Sequence, residues 1–124
     1  MNRVATACLI VAGLINFVPV VGVLSAQVLA GFYEIPPPQG DLLILMRHRA
    51  LFFGILGSLI LVSAFRRHLQ PAAIAAGLIS MLGFVALAVL AGDYGAKVHG
   101  AIVLDLVGSA GLVFVLLLRR RESR

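Results

Sequence analysis

The stretch PAAIAAGLISMLGFVALAVLA, Pro71 to Ala91, runs 21 residues without a charged side chain. At 1.5 Å rise per residue it makes a helix about 31 Å long, the thickness of a bilayer's hydrocarbon core. Pro71 opens it and Gly92 follows it, which are start and stop signals for a helix. Three further apolar runs lie outward from it: about Val4 to Ala30, Leu42 to Phe65 and Ala101 to Leu118. The expected fold class is therefore all-α: an integral membrane four-helix bundle, one transmembrane domain over residues 1–124, with a basic tail at 119–124. The second run carries Arg47-His48-Arg49 near its start. Either that helix spans with its charges inside the outer leaflet, or Leu42 to Met46 lies in the interface.

Composition agrees. Of 124 residues 61% are hydrophobic and only 12% are charged; mean hydropathy is +1.09. A soluble domain of this size needs far more charge to cover its surface. An ordinary globular enzyme, a disordered chain and a disulfide scaffold are excluded. Cys8 is the single cysteine, so there is no internal disulfide and no paired-cysteine redox or zinc motif. The net charge of +5 does not point to nucleic acid, because the basic residues sit at the ends of apolar runs rather than on one face.

Those ends set the orientation. If four helices alternate, Arg3, Arg66, Arg67, Arg119, Arg120, Arg121 and Arg124 share one side with a single acid, Glu122. Arg47, Arg49 and Lys97 share the other with Glu34, Asp41, Asp93 and Asp105. Basic residues favour the cytoplasmic side, so both termini are expected there. Met1 to Ala26 also has the outline of a secretory signal, ending Leu24-Ser25-Ala26. Its apolar stretch is long for one and is interrupted by Asn16 and Pro19, so the first helix is expected to be retained. Between the first two runs, Pro36-Pro37-Pro38 prevents helix and favours extended chain. A faint repeat at an offset of 64 pairs Ala12-Gly13-Leu14-Ile15-Asn16 with Ala76-Gly77-Leu78-Ile79-Ser80, and Asp41-Leu42 with Asp105-Leu106. It would relate two hairpins by an axis along the membrane normal.

Ionisable and polar residues inside a membrane are the candidates for function, since placing them there is costly. Asp105 is expected about 7 Å into the fourth helix, and Arg47 and Arg49 about 9 to 12 Å along the second. The matched depths suggest that one arginine pairs with Asp105. Residues two apart point about 200° apart, so the other cannot face the same partner and is expected to reach for lipid phosphate. Asn16 is expected near the bilayer centre, as an interhelical hydrogen-bonding group or as the floor of a pocket open to the outer side, with Asp93 and Tyr94 at its rim. His48 and His99 are either interfacial residues or proton carriers at that cluster. Their spacing suits no metal, and no metal or cofactor is expected. Gly54, Gly57, Ser58, Gly77, Ser80, Gly83, Gly108, Ser109 and Gly111 read as close-packing positions. No phosphate-binding loop, nucleophile elbow or zinc-protease motif is present.

The four-helix layout, the short basic turn and the segment Met46-Arg47-His48-Arg49-Ala50-Leu51-Phe52-Phe53-Gly54 resemble DoxX-like small bacterial membrane proteins. The resemblance implies a four-helix membrane protein with polar residues near one face, and carries over no catalytic residue. Three functional readings stay open: an accessory or structural membrane protein, a binder or enzyme for a lipid- or quinone-like molecule, and a small oligomeric transporter. The expected partners are membrane lipid and a second copy or another membrane protein.

Overall fold

The computed structural model of the chain describes residues 2–123; Arg124, grouped above with the basic tail, lies outside them. Among the described residues there is no strand. Five helices follow in order: α1 (Arg3–Phe17), α2 (Ala26–Tyr33), α3 (Gly40–Ser63), α4 (Gln70–Ala91) and α5 (Ala96–Glu122). Four segments are long and apolar enough to cross a membrane: Arg3–Val23, Gly40–Ser63, Arg67–Ala91 and Ala96–Glu122. Large apolar side chains such as Leu90 (82%), Ile79 (76%) and Phe65 (73%) point away from the protein interior. An outward apolar surface of this extent belongs in lipid rather than water.

The first apolar run does not form one helix to Ala30. Asn2 caps α1, its side chain accepting from the Ala5 N–H at 2.7 Å. Pro19 then removes a backbone donor and clashes with the preceding turn, and the chain tightens to a 3-10 segment at Val18–Val23. Ser25, extended at φ −170°, accepts from the Val28 N–H at 3.2 Å and starts α2 afresh. The residue read as part of a cleavage site is thus a helix cap. The second run is one continuous helix through Arg47 and Arg49, with no break at Met46. The fourth begins five residues earlier than expected, at Ala96. Asp105 therefore lies nine residues along α5, about 14 Å rather than 7 Å.

Close contacts fix the register. A Cβ on Gly57 would meet the Phe17 backbone, one on Gly54 would meet Val20, and one on Gly13 would meet Leu61. The partners descend on α1 as they rise on α3, so the two run antiparallel. Gly77 against Leu112 and Gly108 against Met81 set α4 antiparallel to α5 in the same way. Lipid tails are as apolar as leucine, so these helices are held by tight packing rather than by the hydrophobic effect, and small residues allow it. The core, including Leu9, Ile60, Ile74, Met81 and Leu112, lies where α1, α3, α4 and α5 meet. α1 packs closely on α3 and α5, and α4 closely on α5, whereas α3 and α4 touch far less.

At the end carrying the termini, the turn before α4 is tied to the tail of α5. Gln70, fully buried, donates to the Ser63 carbonyl at 2.9 Å and accepts from Arg119 at 2.8 Å. Arg67 and Glu122 pair at 2.6 Å.

Candidate functional site

The loose contact between α3 and α4 leaves a groove of about 610 Å³, open to the side. α3 supplies Arg49, Phe52, Phe53 and Leu56; α4 supplies Ala76, Ile79, Ser80, Gly83, Phe84 and Leu87. Eleven positions of α4 separate Ala76 from Leu87, so the groove is about 16 Å long. Its size falls within the usual range for small-molecule sites, about 300–1,000 Å³. The wall is aromatic and aliphatic, with a guanidinium at one end and the Ser80 hydroxyl part-way along. Gly83 leaves room along it: a Cβ there would meet nothing within 4 Å.

Arg49 is held in place. Its Nη1 donates to the Tyr33 hydroxyl at 2.8 Å, and its Cζ lies 4.6 Å from the Phe53 ring centroid, within cation–π range. Tyr33 ends α2, so the break that creates α2 also delivers this contact. Arg47, two residues earlier, turns the other way: its Nε donates to the Val23 carbonyl at 2.8 Å. That carbonyl ends the 3-10 segment, where the helical ladder cannot supply a donor. Arg47 is thus engaged by the chain itself. It also lines a smaller groove of about 290 Å³ with His48, Val23, Leu43, Ile44 and Leu51, and His48 packs edge-on against Phe52 with ring centroids 4.7 Å apart.

The expected ion pair between Asp105 and an arginine is not formed. Among the described residues the ion pairs within 4.0 Å are Arg67–Glu122 and Lys97–Glu34. Nor does Asp105 line the groove. Equal depth along two helices did not bring the charges into contact, because Arg49 is drawn toward Tyr33 and Phe53. Nor is Asn16 a pocket floor. It is buried, donating to the Ala12 carbonyl of its own helix at 2.8 Å and to Met81 Sδ of α4 at 3.4 Å, which is the interhelical role. Asp93 and Tyr94 sit exposed in the turn between α4 and α5, and His99 is exposed in the first turns of α5; neither groove includes them. Among the described residues no three His, Cys, Asp or Glu side chains converge on a metal position.

Sequence reasoning placed Arg49 and missed the α4 wall. Phe84 and Leu87 are ordinary membrane residues in a sequence, and Gly83 read as a packing position; only the unequal spacing of the helices makes them a wall. Gln70 was equally hidden, although a glutamine directly before Pro71, at the mouth of an uncharged run, is the kind of residue that needs a buried partner. The chain matches no protein-family model, no curated protein and no solved structure.

Proposed function

We propose that this chain is a multi-pass protein of the bacterial inner membrane, with both termini cytoplasmic, that takes an apolar chain from the bilayer into the groove between α3 and α4. The groove carries the reading: it opens sideways where lipid tails lie, its walls suit a tail, and its charged group stands at one end. A lipid- or quinone-like molecule has that polarity, an apolar body with one polar head. The wall offers one guanidinium and one hydroxyl, which supports holding and orienting a molecule rather than acid–base chemistry. The role is accessory: presentation or storage of a membrane-soluble compound for another protein. Kinship with DoxX-like proteins belongs to the same proposal, and the Met46–Gly54 segment that suggested it contributes Arg49, Phe52 and Phe53 to the wall. The orientation is supported by Arg3, Arg66, Arg67, Arg119, Arg120 and Arg121, which gather at the end carrying the termini.

The test is native mass spectrometry of the full chain released from mild detergent, beside Gly83→Leu. A Cβ there meets nothing within 4 Å, so the added leucine should project into the groove and obstruct it while the backbone stays in place. The wild type should carry adducts of lipid mass, and Gly83→Leu should lose them while melting at the same or a higher temperature. Adducts that survive in Gly83→Leu refute the reading. A second reading, that a helix of another copy occupies the groove, is favoured by the small residues Ala76, Ser80 and Gly83 along it. A wild-type dimer that becomes a lipid-free monomer in Gly83→Leu marks that outcome.

A further inference from the structure

Arg49 is the charged side chain in the groove wall, and its surroundings say what kind of head the occupant has. A guanidinium presents five N–H donors in a fixed fork and stays charged. Among the described residues one of them is used, by the Tyr33 hydroxyl, and no carboxylate lies within 4.0 Å. Asp105 fills none of these donors, since it forms no ion pair within 4.0 Å. The Phe53 ring beneath Cζ and the Tyr33 hydroxyl hold the group, so its position is set before anything binds. Nine residues separate Arg49 from Gly40 at the start of α3, which places it about 14 Å along the helix. Open donors on a fixed cation at that depth are costly unless an acceptor arrives.

We propose that the ligand is an anionic amphiphile: its acyl chain lies along Phe52, Leu56 and Phe84, and its phosphate or carboxylate oxygens accept from Arg49. This rests on the groove reading and adds the head. Oxyanions match the guanidinium fork in a bidentate way that a neutral carbonyl or hydroxyl does not. The source is a membrane lipid rather than a free anion, because the rest of the wall is apolar. The direction also fits. The Arg49 end of the groove is the end away from the termini, so a lipid whose head lies in that leaflet enters with its chain pointing inward. Arg47 does not compete, since it faces away and is engaged by the Val23 carbonyl.

The test uses the full chain, stripped of lipid by detergent exchange and then offered phosphatidylglycerol, diacylglycerol with the same acyl chains, or inorganic phosphate. Bound adducts are counted by native mass spectrometry. The wild type should retain phosphatidylglycerol at least tenfold better than diacylglycerol and should retain no phosphate. Arg49→Gln should lower phosphatidylglycerol to the diacylglycerol level, and Arg49→Lys should restore part of the difference. Gly83→Leu, which keeps Arg49 and obstructs the groove, should lose both lipids. Equal retention of the two lipids by the wild type, or an Arg49→Gln protein that still prefers phosphatidylglycerol, overturns the anionic head and leaves the groove reading standing. Phosphate binding as strong as lipid binding shows that the chain is not recognised and overturns the proposal. Retention of neither lipid overturns the groove reading with it.

Discussion

Gly57→Ala should loosen the bundle, and Gly83→Ala should not. Both changes add one methyl group to a membrane helix and gain the same helical propensity, about 0.5 to 1 kcal/mol, so that term cancels between them. What differs is the space. A Cβ on Gly57 would lie 2.5 Å from both Cα and N of Phe17. Carbon atoms rest about 3.5 to 4.0 Å apart, so the helices must part by roughly 1 Å, and a backbone atom cannot rotate out of the way. The Gly54–Val20 and Gly13–Leu61 contacts share that interface and loosen with it, since a radial gap of about 0.5 to 1 Å forfeits a quarter to a half of each dispersion well. Overpacking of this kind costs about 1 to 3 kcal/mol. A Cβ on Gly83 meets nothing within 4 Å, so it has no such cost. The expected difference between the variants is therefore roughly five- to 150-fold in the unfolding equilibrium. Thermal and denaturant unfolding in one mild detergent, followed by circular dichroism, measures it. Gly57→Ala melting level with or above Gly83→Ala would refute the antiparallel register of α1 on α3.

Three further outcomes follow from the same geometry. Alkaline phosphatase fused after Gln39 or Gly95 should be active and a fusion after Gln70 silent; the reverse pattern contradicts cytoplasmic termini. Arg47→Met should lower stability by about 1 to 3 kcal/mol, because the Val23 carbonyl loses its donor, and a melting temperature equal to the wild type would show that water or another group serves it. Asp105→Asn should cost far less than the about 3 to 5 kcal/mol seen when a contacting buried pair is broken; a loss of that size, coupled to Arg49 in a double-mutant cycle, would mean that the two charges do meet in the membrane.

The spans were legible because length, charge-free runs and the lipid's thickness act on each stretch locally. Pro71 and Gly92 marked α4 closely for the same reason. The break after Val23 was half visible: Pro19 warned of a disturbance, but Ser25 as a cap competes with a run of apolar neighbours that hides it. The start of α5 was misplaced because the apolar run begins only at Ala101, after Gly95, Lys97 and Gly100, whereas the helix starts at Ala96 and so satisfies its backbone. The faint repeat carries through in part: Gly13 meets Leu61 as Gly77 meets Leu112, and Phe17 meets Gly57 as Met81 meets Gly108, whereas Asp41 lies in the first turn of α3 and Asp105 nine residues along α5. The site was least legible. Equal depth is a one-dimensional argument, and it correctly separated Arg47 from Arg49 by their 200° difference in direction. It could not see that Tyr33, brought back by α2, sets where Arg49 points, nor that α3 and α4 stand apart.

The most direct measurement is photocrosslinking of a lipid with a diazirine on its acyl chain, performed in the bilayer and mapped by peptide mass spectrometry. Saturable labelling at Phe52, Phe84 and Leu87, competed by unlabelled lipid and abolished by Gly83→Leu, is the expected result. Labelling spread evenly over outward residues such as Ile55, Val89 and Val107, with no competition, would contradict a lipid held between α3 and α4.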